Sequence, residues 1–511
     1  MKKILFFTLY DVICIGTRIL SSIAKKSNIE THIVLFKDQK ARPVFKDSTD
    51  YLTYQFYTNG IKHGSCYAAY PYTKKEVSLF YDIVSEVKPD LVCLSTRTFA
   101  YKSCKEIFCG FKKIFDIPVI GGGWGPTLEP AKFLEFCDYV CFGEGERTMD
   151  NICINLNDNI LRDFTNVSNL LYYKSGNLKK NPVAEPLSSK EMDELPLPDY
   201  DYENKYLIEN NKIKTAEEFY NEKVYNCFAG RGCPMTCTYC LSNKYKQMYA
   251  EHDHTIKKYR MRSVDVVIDE LEQAKDKGAK FIRIADEVFP VDKNWTEEFI
   301  IKYKDKINLP YFAYVRPEYH NTDVLNRMAN IGFTSSVVGI QSGSHDIRKN
   351  IFKRYLSETK LIQFAYCLKE LNVEYTYNLI NYNPYEKEVN MEEALNLLQK
   401  LPFSPITLFK LAVFPGSLIL TMIERDKPVA EPDNIQKWYG YLYTMVTAGK
   451  TYRKIAGFIK ENNLFKTVNF PFHVLLLPLY FGYIKEKILK KIRYGAPMMI
   501  KMPKKNRKNK T

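Results

Sequence analysis

Short apolar runs alternate with amphipathic stretches over the first 150 residues of the chain. The apolar runs occupy residues 3–10, 31–36, 91–95, 118–121 and 139–142. This alternation predicts a Rossmann-like domain over residues 1–150, in which helices cover both faces of a parallel sheet. Ligands of such sheets bind beyond the carboxyl ends of the strands. Those ends are followed here by the segments 10–16, 95–101, 121–127 and 143–146.

The same alternation returns in the middle of the chain, after a polar interval. Residues 151–222 include the proline-rich stretch 195–198, which disfavours helix on both sides and predicts a linker. Further apolar runs follow at residues 225–228, 281–284, 311–314, 335–340, 375–380 and 406–413. Six strand–helix repeats predict a partial (βα)6 barrel, TIM-like but open on one side, over residues 223–420. Residues 421–511 are predicted to be mostly helical with a basic tail.

The net charge of +15 is distributed unevenly. Residues 485–511 hold eleven Lys or Arg and one Glu, which gives +10 and leaves +5 for the rest of the chain. Such a tail is compatible with peripheral contact to anionic lipid or with a solvated chain end, and nucleic acid is not expected as a partner. The apolar stretch 468–484 is interrupted by two prolines and a histidine, so it lacks the roughly 20 apolar residues of a membrane-spanning helix.

Three of the thirteen cysteines form a C-x3-C-x2-C motif at Cys233, Cys237 and Cys240. The motif offers three thiolates in one short loop, whereas a structural zinc site takes four ligands. A 4Fe–4S cluster held by three cysteines keeps one iron open to an outside ligand. We therefore predict an iron–sulfur site, with a zinc site completed by Cys227 as the alternative. The other cysteines are scattered and the total is odd, which indicates reduced thiols and a cytoplasmic location.

The triplet and the segments after the barrel strands resemble those of radical S-adenosylmethionine (SAM) enzymes. The resemblance implies that the open iron of the cluster chelates SAM, and that one electron cleaves SAM to a 5′-deoxyadenosyl radical. It also implies that SAM contacts lie at Tyr239, Asp286, Glu287, Arg316, Gln341 and Ser342. Gln341 departs from the family, because relatives often have glutamate there. Considered alone, Asp286 also suits a helix N-cap, and Arg316 a structural salt bridge.

The first domain resembles the cobalamin-binding domain that precedes many radical SAM barrels, chiefly through its glycine-rich runs 121–127 and 143–146. The usual Asp-x-His-x-x-Gly signature has Ile13 in place of the cobalt-ligating histidine. The resemblance thus implies cobalamin bound without histidine ligation. Its implied contacts are Asp11, Gly16, Gly121, Gly122, Gly143 and Glu144. The alternative is a Rossmann-like domain that only docks on the barrel.

The resemblance covers about residues 1–420 and implies a radical SAM enzyme that transfers a methyl group from cobalamin to an unactivated carbon of a small metabolite. The alternatives are a cobalamin-independent rearrangement or cyclisation, an RNA-modifying methylthiotransferase and a non-catalytic iron–sulfur protein. A methylthiotransferase would need a second set of cluster cysteines and an RNA-binding domain, and the sequence shows neither. The expected partners are a small-molecule substrate and an electron donor such as flavodoxin or ferredoxin. The residues that react with the substrate are not identified by the sequence.

Overall fold

This computed structural model describes residues 1–37, 54–58, 61–66, 72–158, 163–220, 223–252, 254, 257 and 259–462. For residues 54–58 and 61–66 only the backbone is described. In the first part of the chain the elements are β1 (Lys3–Leu9), α1 (Ile15–Lys26), β2 (Glu30–Phe36), β3 (Tyr54–Thr58), β4 (Ile61–Cys66), α2 (Lys74–Val87), β5 (Leu91–Ser95), α3 (Tyr101–Phe111), β6 (Val119–Gly122), α4 (Trp124–Leu128), α5 (Pro130–Phe133), β7 (Tyr139–Cys141) and α6 (Glu146–Asn157). The next segment adds β8 (Leu170–Lys174), β9 (Asn177–Lys180), α7 (Ser189–Asp193), β10 (Lys205–Glu209), β11 (Lys212–Thr215) and α8 (Ala216–Phe219).

The second part of the chain contains the barrel and the helices that follow it. Its first half has β12 (Val224–Cys227), β13 (Gly230–Gly232), α9 (Leu241–Ala250), β14 (Tyr259–Met261), α10 (Val264–Asp276), β15 (Phe281–Ile284), α11 (Lys293–Lys302), β16 (Tyr311–Phe312) and α12 (Thr322–Asn330). Its second half has β17 (Phe333–Gln341), α13 (Glu358–Glu370), β18 (Glu374–Asn381), α14 (Glu388–Lys400), β19 (Ile406–Lys410), α15 (Leu418–Asp426), α16 (Asp433–Ala448) and α17 (Lys450–Glu461).

The five strands predicted in the first domain are β1, β2, β5, β6 and β7. They pair in parallel in the order β2-β1-β5-β6-β7, at the centre of a nine-stranded sheet. Successive side chains of a strand point to opposite faces. In β1, Leu5 and Phe7 therefore join one hydrophobic cluster, and Ile4 and Phe6 join the other. Both faces are buried, which confirms the Rossmann-like prediction.

The segment expected to be a linker, residues 151–222, supplies both edges of this sheet. Strands β8 and β9 continue it beyond β7 in antiparallel fashion, while β10 pairs in parallel with β2 and carries β11 at its outer edge. All residues of β9 are exposed. Edge strands of this kind carry polar side chains, and for that reason their sequences resemble a loop. The segment thus connects the two units and also completes the first sheet.

A buried arginine fixes the end of this segment on the first domain. Arg18 of α1 is 1% exposed, and its guanidinium donates to the backbone oxygen of Asp199 at 2.8 Å and to the hydroxyl of Tyr220 at 2.6 Å. The same group stacks on the rings of Tyr200 and Tyr220 at 4.6 and 4.9 Å. Such contacts suit a buried guanidinium, which needs acceptors for its N–H groups and cover for its planar faces.

The second unit has the predicted partial barrel, whose six parallel strands follow the order β12-β15-β16-β17-β18-β19. The pattern of residues did not predict how this sheet continues. The hairpin of β3 and β4, which the chain forms between β2 and α2, pairs antiparallel with β19. The first part of the chain thereby covers the last edge of the barrel.

Helices α16 and α17 pack on the outside of the barrel, chiefly against α14. The hydroxyl of Tyr443 donates to the backbone oxygen of Met391 at 2.8 Å, and Arg453 donates to that of Gln399 at 2.6 Å. Tyr439, Leu442 and Val446 are among the α16 residues in the barrel's core cluster. Within the described residues, no helix has the length and apolar character needed to cross a bilayer. The apolar stretch 468–484 and the basic tail 485–511 lie outside the described residues.

Substitution by alanine at two glycines of the first domain should change the stability of the protein in different ways. A Cβ at Gly125 would lie 2.8 Å from the backbone carbon of Arg97 and 2.9 Å from the backbone nitrogen of Thr98, whereas a Cβ at Gly16 would meet nothing within 4 Å. We expect Gly125→Ala to destabilise the domain by about 1–3 kcal/mol, because α4 must move away. Gly16→Ala should be neutral or stabilise α1 by up to about 1 kcal/mol. Thermal unfolding of the cobalamin-free protein measures both, and equal midpoints for the two variants would contradict this packing.

Candidate active site

The cysteine triplet lies in the loop that follows β12, at the carboxyl end of the first barrel strand. Cys233 and Cys237 are 4% and 3% exposed, and Cys240 is half-buried immediately before α9. All three thiols are free. Burial raises the pKa of Cys233 to about 11 and that of Cys237 above its ordinary value, and the charge of Arg316 opposes the rise at both thiols.

The donor set fits a cluster better than a single ion. Both Cys233 and Cys237 are close enough to Cys240 for its charge to affect their pKa. Within the described ranges, no three His, Cys, Asp or Glu side chains converge as a single metal ion requires. A 4Fe–4S cubane has separate iron corners, so its cysteines surround a larger volume. The three thiols thus have the number and the chemistry that a three-cysteine cluster loop requires.

Cys227, which would complete the alternative zinc site, does not join the triplet. It is 1% exposed on β12 and belongs to the hydrophobic core cluster of the barrel. Burial raises its pKa, and the charges that act on it come from Glu270, Asp286 and Arg262 and not from the other cysteines. The geometry thus gives Cys227 a packing role.

Polar contacts fix the backbone of the cysteine loop at several points. The ammonium of Lys246 donates to the backbone oxygen of Cys233 at 2.5 Å, and the amide of Asn243 donates to that of Cys237 at 2.9 Å. The hydroxyl of Thr238 donates to the backbone oxygen of Ile351 at 2.7 Å. Both Lys246 and Asn243 lie on α9, the helix that follows the cysteine loop. Side chains of α9 therefore hold the backbone of that loop in place.

Asp286 supports this loop and does not face an open site. It is 1% exposed, and its carboxylate accepts hydrogen bonds from the amide of Ala229 at 2.8 Å and the hydroxyl of Tyr259 at 3.0 Å. Burial raises the pKa of Asp286 to about 8. Of the two carboxylates proposed as SAM contacts, Asp286 is therefore committed to the fold, and it caps no helix either.

Glu287, the next residue, is exposed at the carboxyl end of β15. Protein packed around its carboxylate raises its pKa, and the charges of Arg316 and Lys246 oppose the rise. The charges of Glu287 and Arg316 also act on Cys233, so both side chains lie near the triplet. An acidic and a basic side chain beside one thiol suit the ammonium and carboxylate groups of an amino acid.

A buried ion pair that the sequence did not indicate lies beside Cys237. Arg354 is 0% exposed, and its guanidinium donates to Glu318 and to the backbone oxygen of Gly339. Its charge opposes the rise that burial causes in the pKa of Cys237. Arg354 lies beyond β17 and Glu318 beyond β16, and no local motif marks either residue. The ion pair becomes apparent only in the folded barrel, where these two segments lie side by side.

Gln341 ends β17 with a φ of 68°, in the left-handed region. The pairing with β18 shifts register between Gly339 and Gln341. A non-glycine residue in this conformation costs free energy and is frequent where a binding site re-aims a side chain. The amide of Gln341 lies back over Gly339, where it would be 2.7 Å from an added Cβ. It is half-buried at the barrel's carboxyl edge.

The two other proposed SAM contacts are enclosed by protein. The hydroxyl of Ser342, 1% exposed, donates to Glu386 at 2.9 Å. Tyr239 packs its ring edge-on against Phe352, with 4.9 Å between centroids, in a small apolar cluster. It also makes a side-chain contact with Cys237 that affects the pKa of both groups. The side chain of Ser342 is thus engaged elsewhere, and Tyr239 supports the triplet from behind.

The cobalamin contacts implied by the resemblance divide into two groups. Asp11 accepts a hydrogen bond from the amide of Cys14 at 2.9 Å and pairs with Arg97 at 3.2 Å, so it shapes the loop after β1. Gly16 is exposed, and an added Cβ at Gly122 would come no nearer than 3.9 Å to Cys141. At Gly121 the Cys137 sulfur would be 3.0 Å away. These four residues line the carboxyl edge of β1 and β6, where a ligand of this fold binds.

Gly143 and Glu144 face the barrel instead. A Cβ at Gly143, which has a φ of 84°, would lie 2.4 Å from the hydroxyl of Tyr249. The carboxylate of Glu144 accepts from Arg260 at 2.6 Å and from the amide of Leu187 at 2.8 Å. Burial raises the pKa of Glu144, but these bonds and the charge of Arg231 outweigh it and lower the pKa overall. Both residues therefore join the two units of the chain.

The family model of the Radical SAM superfamily matches residues 228–398, which include the cysteine loop and most of the barrel. The chain contains a radical SAM domain. This match confirms the resemblance on which the barrel was predicted. A stretch of 214 residues is 26% identical to the anaerobic magnesium-protoporphyrin IX monomethyl ester cyclase of Rubrivivax gelatinosus. It covers 40% of this chain and 34% of that protein, about a third of the relative's length.

Solved radical SAM structures share the fold of most of the chain. OxsB, a cobalamin-dependent S-adenosylmethionine radical enzyme with aqua-cobalamin and S-adenosylmethionine bound, matches with a TM-score of 0.60 and 18% identity over 97% of this chain and 72% of its own. TsrM, a radical SAM methyltransferase from Kitasatospora setae with cobalamin and a 4Fe–4S cluster bound, matches with a TM-score of 0.60 and 13% identity. That match covers 83% of this chain and 75% of TsrM. The likeness confirms the predicted fold class, a Rossmann-like sheet followed by a radical SAM barrel.

Glu386 should make stability depend on pH. It is 3% exposed, and burial raises its pKa from 4.5 to about 7. The folded state therefore keeps a proton that the unfolded chain releases, and the protein should lose stability on the order of 3 kcal/mol as the pH rises from 4.5 to 7. Glu386→Gln, which keeps an acceptor for Ser342, should remove this part of the pH dependence. Urea unfolding at pH 5 and pH 8 measures it.

The matched control for that measurement is Glu393→Gln, an exposed position on the following helix. It should keep the pH dependence of the wild type. Parallel pH profiles for the wild type and Glu386→Gln would show that Glu386 is ionised in the folded protein.

Proposed function

We propose that this protein is a radical SAM enzyme in which Cys233, Cys237 and Cys240 hold a 4Fe–4S cluster. One observation carries the proposal: three free, mostly buried thiols lie in the loop after the first barrel strand, and the charges of Glu287 and Arg316 act on the first of them. When bound, the cluster would supply the electron for reductive cleavage of SAM. Glu287 would hold the ammonium group of SAM and Arg316 its carboxylate, each by a charge-assisted hydrogen bond.

The remaining groups of the site have supporting roles in this proposal. Arg316 and Arg354 bring positive charge to Cys233 and Cys237, which favours the thiolate that iron requires. Asp286 and Tyr259 hold the strand end that precedes the loop. Gln341 is positioned to contact SAM through a neutral amide, which can both donate and accept a hydrogen bond.

For the overall reaction we favour methyl transfer to an unactivated carbon of a small metabolite, with cobalamin as the methyl source. The likeness to TsrM and OxsB over most of the chain supports this assignment. TsrM was also solved with a tryptophan substrate, which supports a small-molecule substrate here. Cobalamin would lie on the carboxyl edge of β1 and β6, near Asp11, Gly16, Gly121 and Gly122. Flavodoxin or ferredoxin would be the electron donor, and the cytoplasm the location.

A cobalamin-independent cyclisation or rearrangement is the second candidate. Ile13 offers no ligand to cobalt, and Glu144 is engaged by Arg260. The partial relative from Rubrivivax is a cyclase. A methylthiotransferase has less support, because the described cysteines of the first domain are spread over both apolar faces of its sheet. Cys104 and Cys137 lie in one cluster, and Cys14, Cys93, Cys141 and Cys153 lie in the other.

Cys237→Ala should abolish SAM cleavage, since two remaining thiolates cannot retain the cubane. Anaerobically purified wild type should contain about four irons per chain and release 5′-deoxyadenosine when dithionite and SAM are added. The control is Cys109→Ala, which replaces a free, half-buried thiol in the first domain. SAM cleavage retained by Cys237→Ala would refute the cluster assignment. Zinc in place of iron in the wild type would refute the proposal that the protein is a radical SAM enzyme.

Cobalamin uptake should separate the two candidate reactions. If the first domain binds cobalamin, labelling the protein with nitrogen-15 should leave the electron paramagnetic resonance spectrum of the cob(II)alamin form unchanged, because Ile13 supplies no nitrogen to the cobalt. Cobalt analysis gives the stoichiometry in the same sample. SAM cleavage without any cobalamin uptake would leave cyclisation or rearrangement as the reaction.

A further inference from the structure

Two arginines lie directly opposite each other on the two-stranded ribbon that leads into the cysteine loop. Strands β13 and β14 pair antiparallel, with Arg231 opposite Arg260, and Cys233 follows β13 at once. Like charges at opposite positions of a ribbon repel each other. Arg260 is only 6% exposed, so solvent cannot screen the repulsion well. The ribbon therefore requires nearby negative charge.

The first domain supplies that charge with two glutamates. Glu144 accepts from Arg260 at 2.6 Å and lies 3.4 Å from Arg231, and Glu146 accepts from Arg231 at 2.5 Å. Both carboxylates are largely buried. Two positive and two negative groups thus form a compact cluster, the Arg–Glu cluster, across the junction of the two units. A variant without the two glutamates would leave the two arginines without opposite charges nearby, and a variant without the arginines would leave the glutamates so.

The helix on the other side of the cysteine loop is attached to the same surface. The hydroxyl of Tyr249 on α9 contacts the amide of Glu144 at 2.9 Å, and the ring of Tyr245 packs edge-on against Trp124 at 5.5 Å. Tyr249 also belongs to a core cluster of the first domain. Both flanks of the loop, the ribbon before Cys233 and the helix after Cys240, therefore rest on the first domain.

We propose that Arg231, Arg260, Glu144 and Glu146 are positioning residues for the cysteine loop, so that the first domain forms part of the cluster site. The Arg–Glu cluster fixes the ribbon, and the ribbon fixes Cys233 relative to Glu287 and Arg316. The role in the cluster site rests on the proposed function. The role in holding the loop does not, because it concerns contacts of the protein alone.

Hydrogen exchange of the protein without cofactors tests the contact itself. Glu144→Gln/Glu146→Gln should raise amide exchange in residues 229–233 about tenfold or more, because the ribbon opens locally. Amides of β1 should not change, which shows that the domain stays folded. The control is Glu135→Gln, which removes a carboxylate that pairs with Lys105 on the surface of the same domain. Unchanged exchange in the double variant would overturn the proposal.

Spectroscopy of the reconstituted enzyme tests the effect on the cluster. Iron content of Glu144→Gln/Glu146→Gln should equal that of the wild type, since the thiols are intact. Its reduced-cluster paramagnetic spectrum with SAM should differ, and 5′-deoxyadenosine formation should fall about tenfold or more. Glu146→Arg alone leaves three positive groups against one negative group and should also lower the rate. Adding Arg231→Glu gives two charges of each sign again and should recover part of the rate that Glu146→Arg loses.

The outcomes separate the two proposals. A wild type that takes up iron and cleaves SAM, but whose spectrum and exchange match those of the double variant, would overturn the positioning role alone. A wild type without iron would overturn the proposed function, and with it the role in the cluster site. Faster exchange in residues 229–233 would still support the role of the four residues in holding the loop.

Discussion

The junction between the two units depends on buried charge that neither unit can neutralise alone. Arg231 and Arg260 face each other on a short ribbon. Glu144 lies in the loop after β7, and Glu146 begins α6. The two arginines carry charges of the same sign, and so do the two glutamates. Without the other pair close by, the two members of each pair would repel each other. Together they are neutral, so the favourable state is the one in which the domains dock. The cysteine loop begins two residues after Arg231 and is placed by this docking.

The core of each unit could be predicted from the sequence because most of its strands are marked by short runs rich in apolar residues, separated by helical stretches. The five runs in the first domain correspond to β1, β2, β5, β6 and β7, and the six later runs to the barrel strands. The edges could not be predicted in the same way. Strand β9 is fully exposed and β13 has three residues, so neither has an apolar pattern. The hairpin of β3 and β4 joins a sheet far from it along the chain.

In the candidate site, too, the sequence could predict local features but not which distant residues meet. The cysteine spacing is local, so the sequence alone could place the triplet in a loop after the first barrel strand, where the structure has it. Which of two adjacent carboxylates is accessible depends on the orientation of the strand end, and the structure distinguishes buried Asp286 from exposed Glu287. Arg354 and Glu318 meet only because β16 and β17 are neighbours. Glu144 was assigned to cobalamin by resemblance, but its partner Arg260 lies in the other unit.

The pairing of β3 with β19 has a consequence for how the chain can be divided. Residues 56–58 bond to residues 407–409, so the last barrel strand gains its outer neighbour from a segment made near the start of synthesis. A pairing between such distant segments forms late and slows folding. The barrel expressed without the first domain would present β19 as an unpaired edge, which invites association with other chains. The two units are thus one folding entity, although each has its own hydrophobic core.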